Sequence, residues 1–166
     1  LREGGRVLAL ETNKAMDAIP DDYDWCFYIQ ADEVIHENNY QTIRDSMAQW
    51  LDEPEVEGLL FKYHHFWGTF SYTGINRQWY RHEIRVIRNN KQIRSYRDAQ
   101  GFRKNNNKLK VKPIDSSIYH YGYVRPPSVM KEKMKDFSSL YHSDEDLQRQ
   151  IERISNFNYD EVDAVR

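Results

Sequence analysis

Apolar residues recur at helical spacing in two segments near the start of this 166-residue chain. Over residues 6–19 they fall on one face, and Pro20 ends the pattern. A second helical pattern covers residues 38–51, with Pro54 just beyond it. Between the two helices, the apolar run 24–29 predicts a short strand that is buried on both faces, as in the interior of a parallel sheet.

The middle of the chain changes to the pattern of strands. Apolar residues at 59–63 predict one strand, and the segments 84–88 and 92–96 predict two more. The polar residues 89–91 between the last two predict a hairpin turn, and the asparagine-rich segment 98–108 predicts a loop. We therefore expect a β-rich insertion after the second helix.

The last third of the chain returns to helices after two short strands, which are predicted at 109–111 and 117–121. Helical spacing outlines a helix over 129–141, and a capping pattern at 143–146 begins a last helix. The acidic tail from residue 158 is expected to be frayed. The order of helix, strand, helix, strands and helices predicts an α/β fold in which helices flank a mixed sheet.

Charge is divided unevenly along a chain whose net charge is only −2. Residues 1–60 carry fourteen acidic against four basic residues, and residues 77–112 carry twelve basic against two acidic residues. Such segregation is typical of proteins that bind an anionic ligand, a nucleic acid or a membrane surface. A solvated sheet face gives the same pattern, so the charges alone do not choose a function.

Two features of the composition narrow the class of protein. The mean hydropathy is −0.91, and no apolar run approaches the length of a membrane helix, roughly 18 residues. We therefore expect no transmembrane segment. Cys26 is the only cysteine, which excludes an internal disulfide and a cysteine metal cage and favours a reducing compartment.

An acidic pair follows the predicted strand 24–29, in Gln30-Ala31-Asp32-Glu33. Ligands of open α/β sheets bind beyond the carboxyl ends of the strands, where adjacent carboxylates can hold a divalent cation or act as a general base. The alternative is an acidic entry to a helix, which the helix dipole favours. The spacing leaves both interpretations open.

A second candidate is the aromatic segment 118–125, which contains His120, Gly122 and Arg125. Gly122 lets the backbone approach another group closely, and Arg125 offers a cation for a diphosphate. A histidine within an aromatic strand is more often a hydrogen-bonded structural residue than a ligand. His120 therefore has two interpretations on the sequence alone.

Aromatic and basic residues form two further candidate surfaces. The aromatic stretch 63–80 includes Trp67, whose flat face suits stacking on a sugar or a base, although an aromatic core under the sheet explains the stretch equally well. In the basic segment 81–97, arginines such as Arg85 could bind phosphate or form a solvated edge.

Two pairs of titratable residues lie in the same part of the chain. Glu83 and Asp98 are the only acids within residues 77–112, so each is either a salt-bridge partner or a catalytic base held ionised. His64 and His65 are adjacent, and neighbouring side chains of a strand point to opposite faces. We therefore discount the two histidines as a metal pair.

Four segments, in this order, resemble the motifs of family 2 glycosyltransferases with the GT-A fold. Thr12-Asn13-Lys14-Ala15-Met16 resembles that family's asparagine-bearing helix, and Asp24-Trp25-Cys26-Phe27-Tyr28-Ile29-Gln30-Ala31-Asp32-Glu33-Val34 resembles the strand that ends in its DxD-type motif. Glu83-Ile84-Arg85-Val86-Ile87-Arg88 resembles a strand of relatives that act on polysaccharide and lipopolysaccharide sugars. His120-Tyr121-Gly122, followed by Arg125, resembles a late histidine motif.

The resemblance implies inverting transfer of a hexose from a nucleotide-diphosphate sugar to a hydroxyl acceptor, with Mn²⁺ or Mg²⁺ on the diphosphate. It makes Asp32 the metal-binding acid, lets His120 complete the metal site and puts Arg125 beside the leaving diphosphate. We therefore expect the side chains of Asp32 and His120 on one face, with room for an ion and a diphosphate. The expected substrate contacts are Gln30, Asp32, Arg85, Trp67 and Arg125.

The resemblance also implies a cellular setting. Relatives of this type build bacterial cell-envelope polysaccharide, so we expect a polysaccharide or lipid-linked acceptor and no nucleic-acid partner. The expected location is the cytoplasm, at the periphery of the inner membrane. The sequence leaves the oligomeric state open.

Two departures from the family pattern change these expectations. Gln30 replaces the first acid of the DxD motif, so it can hydrogen-bond a ribose hydroxyl but adds no charge, and Glu33 could compensate. The family's first βα units, which hold the base and ribose, are missing before Leu1, so we expect an incomplete domain that binds a nucleotide-sugar weakly. Residues 1–141 would be the C-terminal portion of the GT-A domain, and residues 142–166 a C-terminal helix and tail.

The catalytic base stays open among Asp98, Glu83 and Glu33. Asp98 is preferred because it follows the basic segment and opens the predicted loop. Two other functions stay open as well. One is a non-catalytic remnant that binds a sugar or a partner protein, and the other is a single-stranded nucleic-acid-binding module that uses the basic hairpin and the aromatic stretch.

Overall fold

The computed structural model describes residues 5–77, 79–126, 128–130, 132, 133, 136 and 162–164. Both helices predicted in the N-terminal half are confirmed, as α1 (Arg6–Asp17) and α2 (Tyr40–Gln49), the latter preceded by the 3-10 turn Glu37–Asn39. The described residues from 128 to 136 are helical, and all but residue 128 lie within the helix predicted over 129–141. The last helix, predicted from 143, lies outside the described residues. None of the described helices has the length and apolar character that crossing a membrane requires.

The strands form one large mixed sheet and one small antiparallel sheet. Their bounds are β1 (Trp25–Phe27), β2 (Glu33–Val34), β3 (Gly58–Trp67), β4 (Tyr72–Gly74), β5 (His82–Arg88), β6 (Ile93–Tyr96), β7 (Gly101–Lys104), β8 (Asn107–Lys108), β9 (Val111–Tyr123) and β10 (Val162–Ala164). β3 is central: it runs parallel to β9 and antiparallel to β5 and β4. β1 pairs beyond β5, β2 beyond β9 and β10 beyond β4, whereas β6, β7 and β8 form the small sheet. The predicted α/β class is confirmed at this level.

The apolar run 24–29 does not form an interior strand, so this prediction is wrong. Among the described strands β1 pairs with β5 alone, through Trp25 with Arg88 and Phe27 with Val86, and therefore lies at an edge. Phe27 is 39% exposed. Trp25 and the buried Cys26 pack against different hydrophobic clusters, so both faces of the strand contact apolar residues. Only one of its two hydrogen-bonding edges is paired with another described strand.

The predicted hairpin after β5 is also wrong. β5 belongs to the large sheet, whereas β6 pairs antiparallel with β7, which lies in the segment predicted as a loop. Asn105 and Asn106 have positive φ angles of 48° and 65°, a conformation that asparagine tolerates, and they make the turn between β7 and β8.

The two short strands predicted at 109–111 and 117–121 belong to one long strand, because β9 covers 111–123 without a break.

Two hydrophobic clusters hold these layers together. Ile43 of α2 packs with Phe61 and Val86, whereas Met16 of α1 and Phe102 of the small sheet pack with Ile87. Adjacent residues of β5 belong to different clusters because side chains of a strand alternate between its faces. α2 therefore covers one side of β5, and α1 with the small sheet covers the other.

The segregated charges pair with each other across the fold. Asp17 of α1 accepts a hydrogen bond from Arg94 Nη1 at 2.5 Å, and Glu57 Oε1 lies 2.7 Å from Lys104 Nζ. Arg88 donates to main-chain carbonyls at the end of α2 and after it, those of Trp50, Leu51, Glu53 and Val56. Several cations of residues 77–112 thus bind groups of the acidic residues 1–60 of the same chain.

Candidate active site

A cavity of about 720 Å³ opens between α1, the large sheet, the loop 97–100 and the helical residues near 130; we call it the cleft. Residues that are far apart in sequence meet on its walls. Six of the predicted site residues line it: Gln30, Asp32, Glu83, Arg85, Asp98 and His120. The other three, Glu33, Trp67 and Arg125, are not among its lining residues.

β2 and β9 bring Asp32 and His120 to the same wall of the cleft. Glu33 pairs with His120 in the register of these strands, and the backbone amide of Tyr121 donates to the Asp32 carbonyl oxygen at 2.8 Å. His120 Nε2 lies 3.4 Å from Asp32 Oδ2. The hydrogen bond from His120 lowers the pKa of Asp32, against the opposing effect of burial. The two side chains therefore lie on one face, as the resemblance implies.

Gly122 makes this close approach possible. A Cβ atom at position 122 would lie 2.5 Å from Asp32 Oδ2 and 2.6 Å from His120 Nε2, which is shorter than any normal contact. A larger residue would push the carboxylate and the imidazole out of place. The close approach of Asp32 and His120 therefore explains why the His120-Tyr121-Gly122 motif has a glycine at its third position.

Glu33 lies beneath this wall, at the centre of a buried polar cluster in which both of its carboxylate oxygens are hydrogen-bonded. Its carboxylate accepts hydrogen bonds from Arg85 Nε at 2.9 Å, Arg85 Nη2 at 2.6 Å, the Tyr63 hydroxyl at 2.5 Å and the Gln30 backbone amide at 3.1 Å. The side chains of Glu33 and Arg85 are 0% and 3% exposed. Burial and the bond to Glu33 raise the pKa of Tyr63, so its hydroxyl remains a donor. Glu33 and Arg85, predicted as a base and a substrate contact, are thus bound to each other.

Glu83 faces the cleft from β5 with a side chain that is 11% exposed. Burial raises its pKa to about 7, and the nearby carboxylate of Glu33 adds to the rise, while Arg85, with Nη1 3.5 Å away, opposes it. Around neutral pH this carboxyl group is partly protonated. It can therefore exchange a proton with a group bound in the cleft.

Asp98 reaches the cleft from a strained turn. The residues on either side of it, Arg97 and Ala99, have positive φ angles of 55° and 61°, which cost a non-glycine residue about 1–2 kcal/mol each. Ala99 is only 1% exposed, so the turn is fixed by packing. Such strain is found at functional sites, where the surrounding fold holds a residue in an unfavourable conformation.

His65, discounted from the sequence, lies beside His120. The parallel register of β3 and β9 sets the two residues opposite each other, and their Nδ1 atoms are 3.2 Å apart. His65 is 5% exposed, and its buried Nε2 has no hydrogen-bond partner among the described residues. His64 stacks on Tyr119 instead, so the two adjacent histidines do face opposite ways. The pairing of His65 with His120 depends on strand register, which the sequence does not show.

Lys133 is a second residue that the sequence does not single out. Its Nζ donates to the Gly122 carbonyl oxygen at 2.9 Å and lies 3.9 Å from Asp32 Oδ2. Burial lowers the pKa of Lys133, and Asp32 partly offsets this effect. The lysine adds a cation to the wall that carries Asp32 and His120.

The aromatic stretch divides between the core and the cleft. The rings of Trp67, Trp79 and Tyr123 contact one another at centroid distances of 5.2 Å. Trp79 also lies against Gly74, where a Cβ atom would be 2.4 Å from the indole. Tyr80, by contrast, lines the cleft and is 46% exposed, so it offers part of its ring to a ligand.

Two other residues of the resemblance lie away from the cleft walls. Arg125 is exposed, close to the helical residues near 130. Asn13 of α1 accepts a hydrogen bond from the backbone amide of Ser95 at 2.8 Å and so ties α1 to β6. From the same helix, Glu11 and Thr12 do line the cleft.

Asp32 and His120 offer two donor atoms for a divalent cation, and their spacing suits one. Neighbouring ligands of an octahedral Mg²⁺ lie about 3 Å apart, close to the 3.4 Å between His120 Nε2 and Asp32 Oδ2. Within the described residues, no group of three or more His, Cys, Asp or Glu side chains could hold a metal. The residues therefore fit an ion that takes its other ligands from water and phosphate oxygens, as Mg²⁺ commonly does.

No protein-family model matches this sequence, and no curated protein matches it closely enough to indicate a relationship.

Proposed function

We propose that this protein is an inverting, metal-assisted glycosyltransferase that moves a sugar from a nucleotide diphosphate to a hydroxyl acceptor. One observation carries the proposal: Asp32, His120 and Lys133 meet on one wall of a cleft that also contains Glu83, a carboxyl group with a pKa of about 7. A site for an anionic leaving group and a base for a hydroxyl thus lie in one cavity. We also propose that the mixed sheet is part of a GT-A domain.

The donor diphosphate binds at the wall of Asp32, His120 and Lys133. Asp32 and His120 would hold the divalent cation, and Gly122 leaves the space that their side chains need. Mn²⁺ or Mg²⁺, when bound, supplies positive charge that stabilises the leaving diphosphate. Lys133 adds a second positive charge at the same wall, and Gln30 offers a hydrogen-bonding group to the donor.

Glu83 is the base in this proposal, in preference to Asp98. Its pKa of about 7 suits a group that must take a proton at neutral pH. The acceptor oxygen forms a bond to the anomeric carbon of the sugar, and the bond from that carbon to the diphosphate oxygen breaks. The electron pair leaves with the diphosphate, and the hydroxyl proton passes to the Glu83 carboxylate. Attack from the side opposite the leaving group inverts the anomeric carbon.

Tyr80 supports the acceptor in this scheme. Its exposed ring lines the same cavity as Glu83, and aromatic faces pack well against sugar rings. A sugar hydroxyl is therefore the expected acceptor group, in a polysaccharide or a lipid-linked saccharide. The nucleic-acid alternative has less support, because Arg85, Arg88, Arg94 and Lys104 bind groups of the protein itself.

Release of nucleoside diphosphate from UDP- and GDP-sugars tests the proposal. We expect release in the presence of Mn²⁺ with a saccharide acceptor, its loss when EDTA is added, and its loss in Asp32→Asn and Glu83→Gln. Asp22→Asn is the matched control, because Asp22 is exposed and does not line the cleft. Binding of a sugar without any Asp32-dependent release would contradict transfer and favour the non-catalytic alternative.

A further inference from the structure

His65 and His120 form a buried pair of imidazoles at the wall of the cleft. Their Nδ1 atoms are 3.2 Å apart, and the two residues are 5% and 9% exposed. The rings of Tyr63 and Tyr80 lie 4.7 Å and 5.1 Å from the His65 ring, between centroids. Strand pairing and aromatic packing together keep the two imidazoles facing each other.

A contact between two Nδ1 atoms holds one hydrogen, because one nitrogen must donate and the other must accept. In a neutral imidazole, the ring with hydrogen on Nδ1 has a lone pair on Nε2. If His65 donates, His120 carries its hydrogen on Nε2, facing Asp32. If His120 donates, its Nε2 faces Asp32 with a free lone pair. The direction of this single hydrogen bond therefore decides whether His120 can ligate a cation.

The distance to Asp32 favours the second arrangement in the cation-bound protein. N–H···O bonds are commonly about 2.9–3.0 Å long, whereas His120 Nε2 and Asp32 Oδ2 are 3.4 Å apart. That spacing is a long direct hydrogen bond but is close to the separation of two neighbouring ligands of one ion. Metal-ligating histidines usually donate their other ring N–H to a fixed acceptor, and His65 Nδ1 is in that position.

We propose that His65 is a positioning residue of the cation site: it accepts the Nδ1 hydrogen of His120 and so presents the Nε2 lone pair of His120 beside Asp32. This inference rests on the proposed function, because it gives His65 a role toward the same cation. The Nε2 of His65, which has no partner in the part of the chain that the structure describes, then carries the hydrogen of that ring.

Mn²⁺ titration in the presence of UDP, followed by electron paramagnetic resonance, tests the role of His65. His65→Phe keeps a ring in the aromatic packing but has no acceptor, whereas His65→Asn offers an amide oxygen near the former Nδ1. We expect Mn²⁺ affinity to fall about 10- to 100-fold in His65→Phe and to recover largely in His65→Asn. His64→Phe is the matched control and leaves the affinity unchanged, because His64 faces the other side of β3.

Nitrogen-15 spectra of the histidine rings give a second readout that does not depend on activity. With Mg²⁺ and UDP bound, His120 should carry its hydrogen on Nδ1 in the wild type. Hydrogen on Nε2 of His120 in that state would overturn the proposal that His65 accepts the Nδ1 hydrogen of His120. Because the spectra are recorded on the wild type, they test the proposal even if His65→Phe does not fold. Equal Mn²⁺ affinity in the wild type and a folded His65→Phe would overturn the role of His65 alone. Failure of the wild type to bind Mn²⁺ with UDP would overturn the proposed function as well.

Discussion

Asp32 and Glu33 are neighbours in sequence but belong to two regions of opposite character. Glu33 lies in the buried layer directly beneath the cleft, which we call the floor, where its carboxylate accepts hydrogen bonds from Arg85, Tyr63 and the Gln30 amide. Asp32 lies in the wall, where its side chain is 38% exposed and has two cationic or imidazole neighbours at 3.4 Å and 3.9 Å. The Glu33 carboxylate in the floor is already hydrogen-bonded by groups of the protein, whereas the partly exposed Asp32 carboxylate in the wall can still contact a bound ligand.

The difference shows how to separate supporting residues from ligand-binding ones. A buried charge must be paired and hydrogen-bonded, and such a pair fixes the surrounding strands. Carboxylates and imidazoles that are held close together with open ligand positions instead suit an added ion or anion. By this criterion Glu33 and Arg85 support the cleft, whereas Asp32 and His120 are the residues that we propose bind the cation.

The largest expected effect is on the floor. Arg85→Met should lower the free energy of unfolding by about 3–5 kcal/mol, because it leaves the Glu33 carboxylate buried without its partner. Urea unfolding measures the change. Arg85→Met combined with Glu33→Gln should regain part of the loss, and Asp32→Asn should change stability by less than about 1 kcal/mol. A mild effect of Arg85→Met would show that the floor is not the stabilising region.

Glu83 should make stability depend on pH by up to about 3 kcal/mol. The folded pKa of about 7 lies above the ordinary value of 4.5, so the folded state holds this proton more tightly. The resulting stability is complete below pH 4.5 and is lost as pH rises through 7. Glu83→Gln cannot ionise, and should therefore gain more stability over the wild type at pH 8 than at pH 5, as measured by urea unfolding. Equal gains at both pH values would contradict a raised pKa.

Gly122 offers a smaller and more local test of the wall. Gly122→Ala should lower stability by about 1–3 kcal/mol and abolish Mn²⁺-dependent UDP binding, because its Cβ would displace Asp32 and His120. Gly101→Ala is the matched control, since a Cβ there meets no atom within 4 Å. Calorimetric titration with UDP and Mn²⁺ follows the binding. Unchanged binding in Gly122→Ala would mean that the two side chains need not be so close.

The sequence predicted the two regions unequally, for physical reasons. Local signals located α1 and α2, because helix periodicity is visible along the chain. They offered Asp32, Glu83 and His120 as candidates with a structural alternative for each, and the family resemblance gave Asp32 and His120 their proposed roles. The apolar run 24–29 predicted an interior strand, whereas β1 lies at an edge of the sheet. The prediction failed because a strand with one neighbouring strand and a strand with two can have the same run of apolar residues. His65 was discounted as a ligand together with His64 because adjacent side chains of a strand face opposite ways. Its actual partner, His120, is set by the register of β3 against β9, which is a long-range property. Glu33 and Asp32 look alike in sequence, and only the buried Arg85 separates them.

Paramagnetic broadening by Mn²⁺ in the presence of UDP tests the central claim most directly. The method detects weak binding and reports where in the isotope-labelled protein the ion lies. We predict that the backbone signals of Asp32, His120 and Gly122 broaden first, that EDTA restores them, and that Asp32→Asn prevents the effect. Broadening confined to surface acids such as Asp21 and Glu53, or unchanged broadening at the cleft in Asp32→Asn, would contradict the cation site on which the proposed transfer depends.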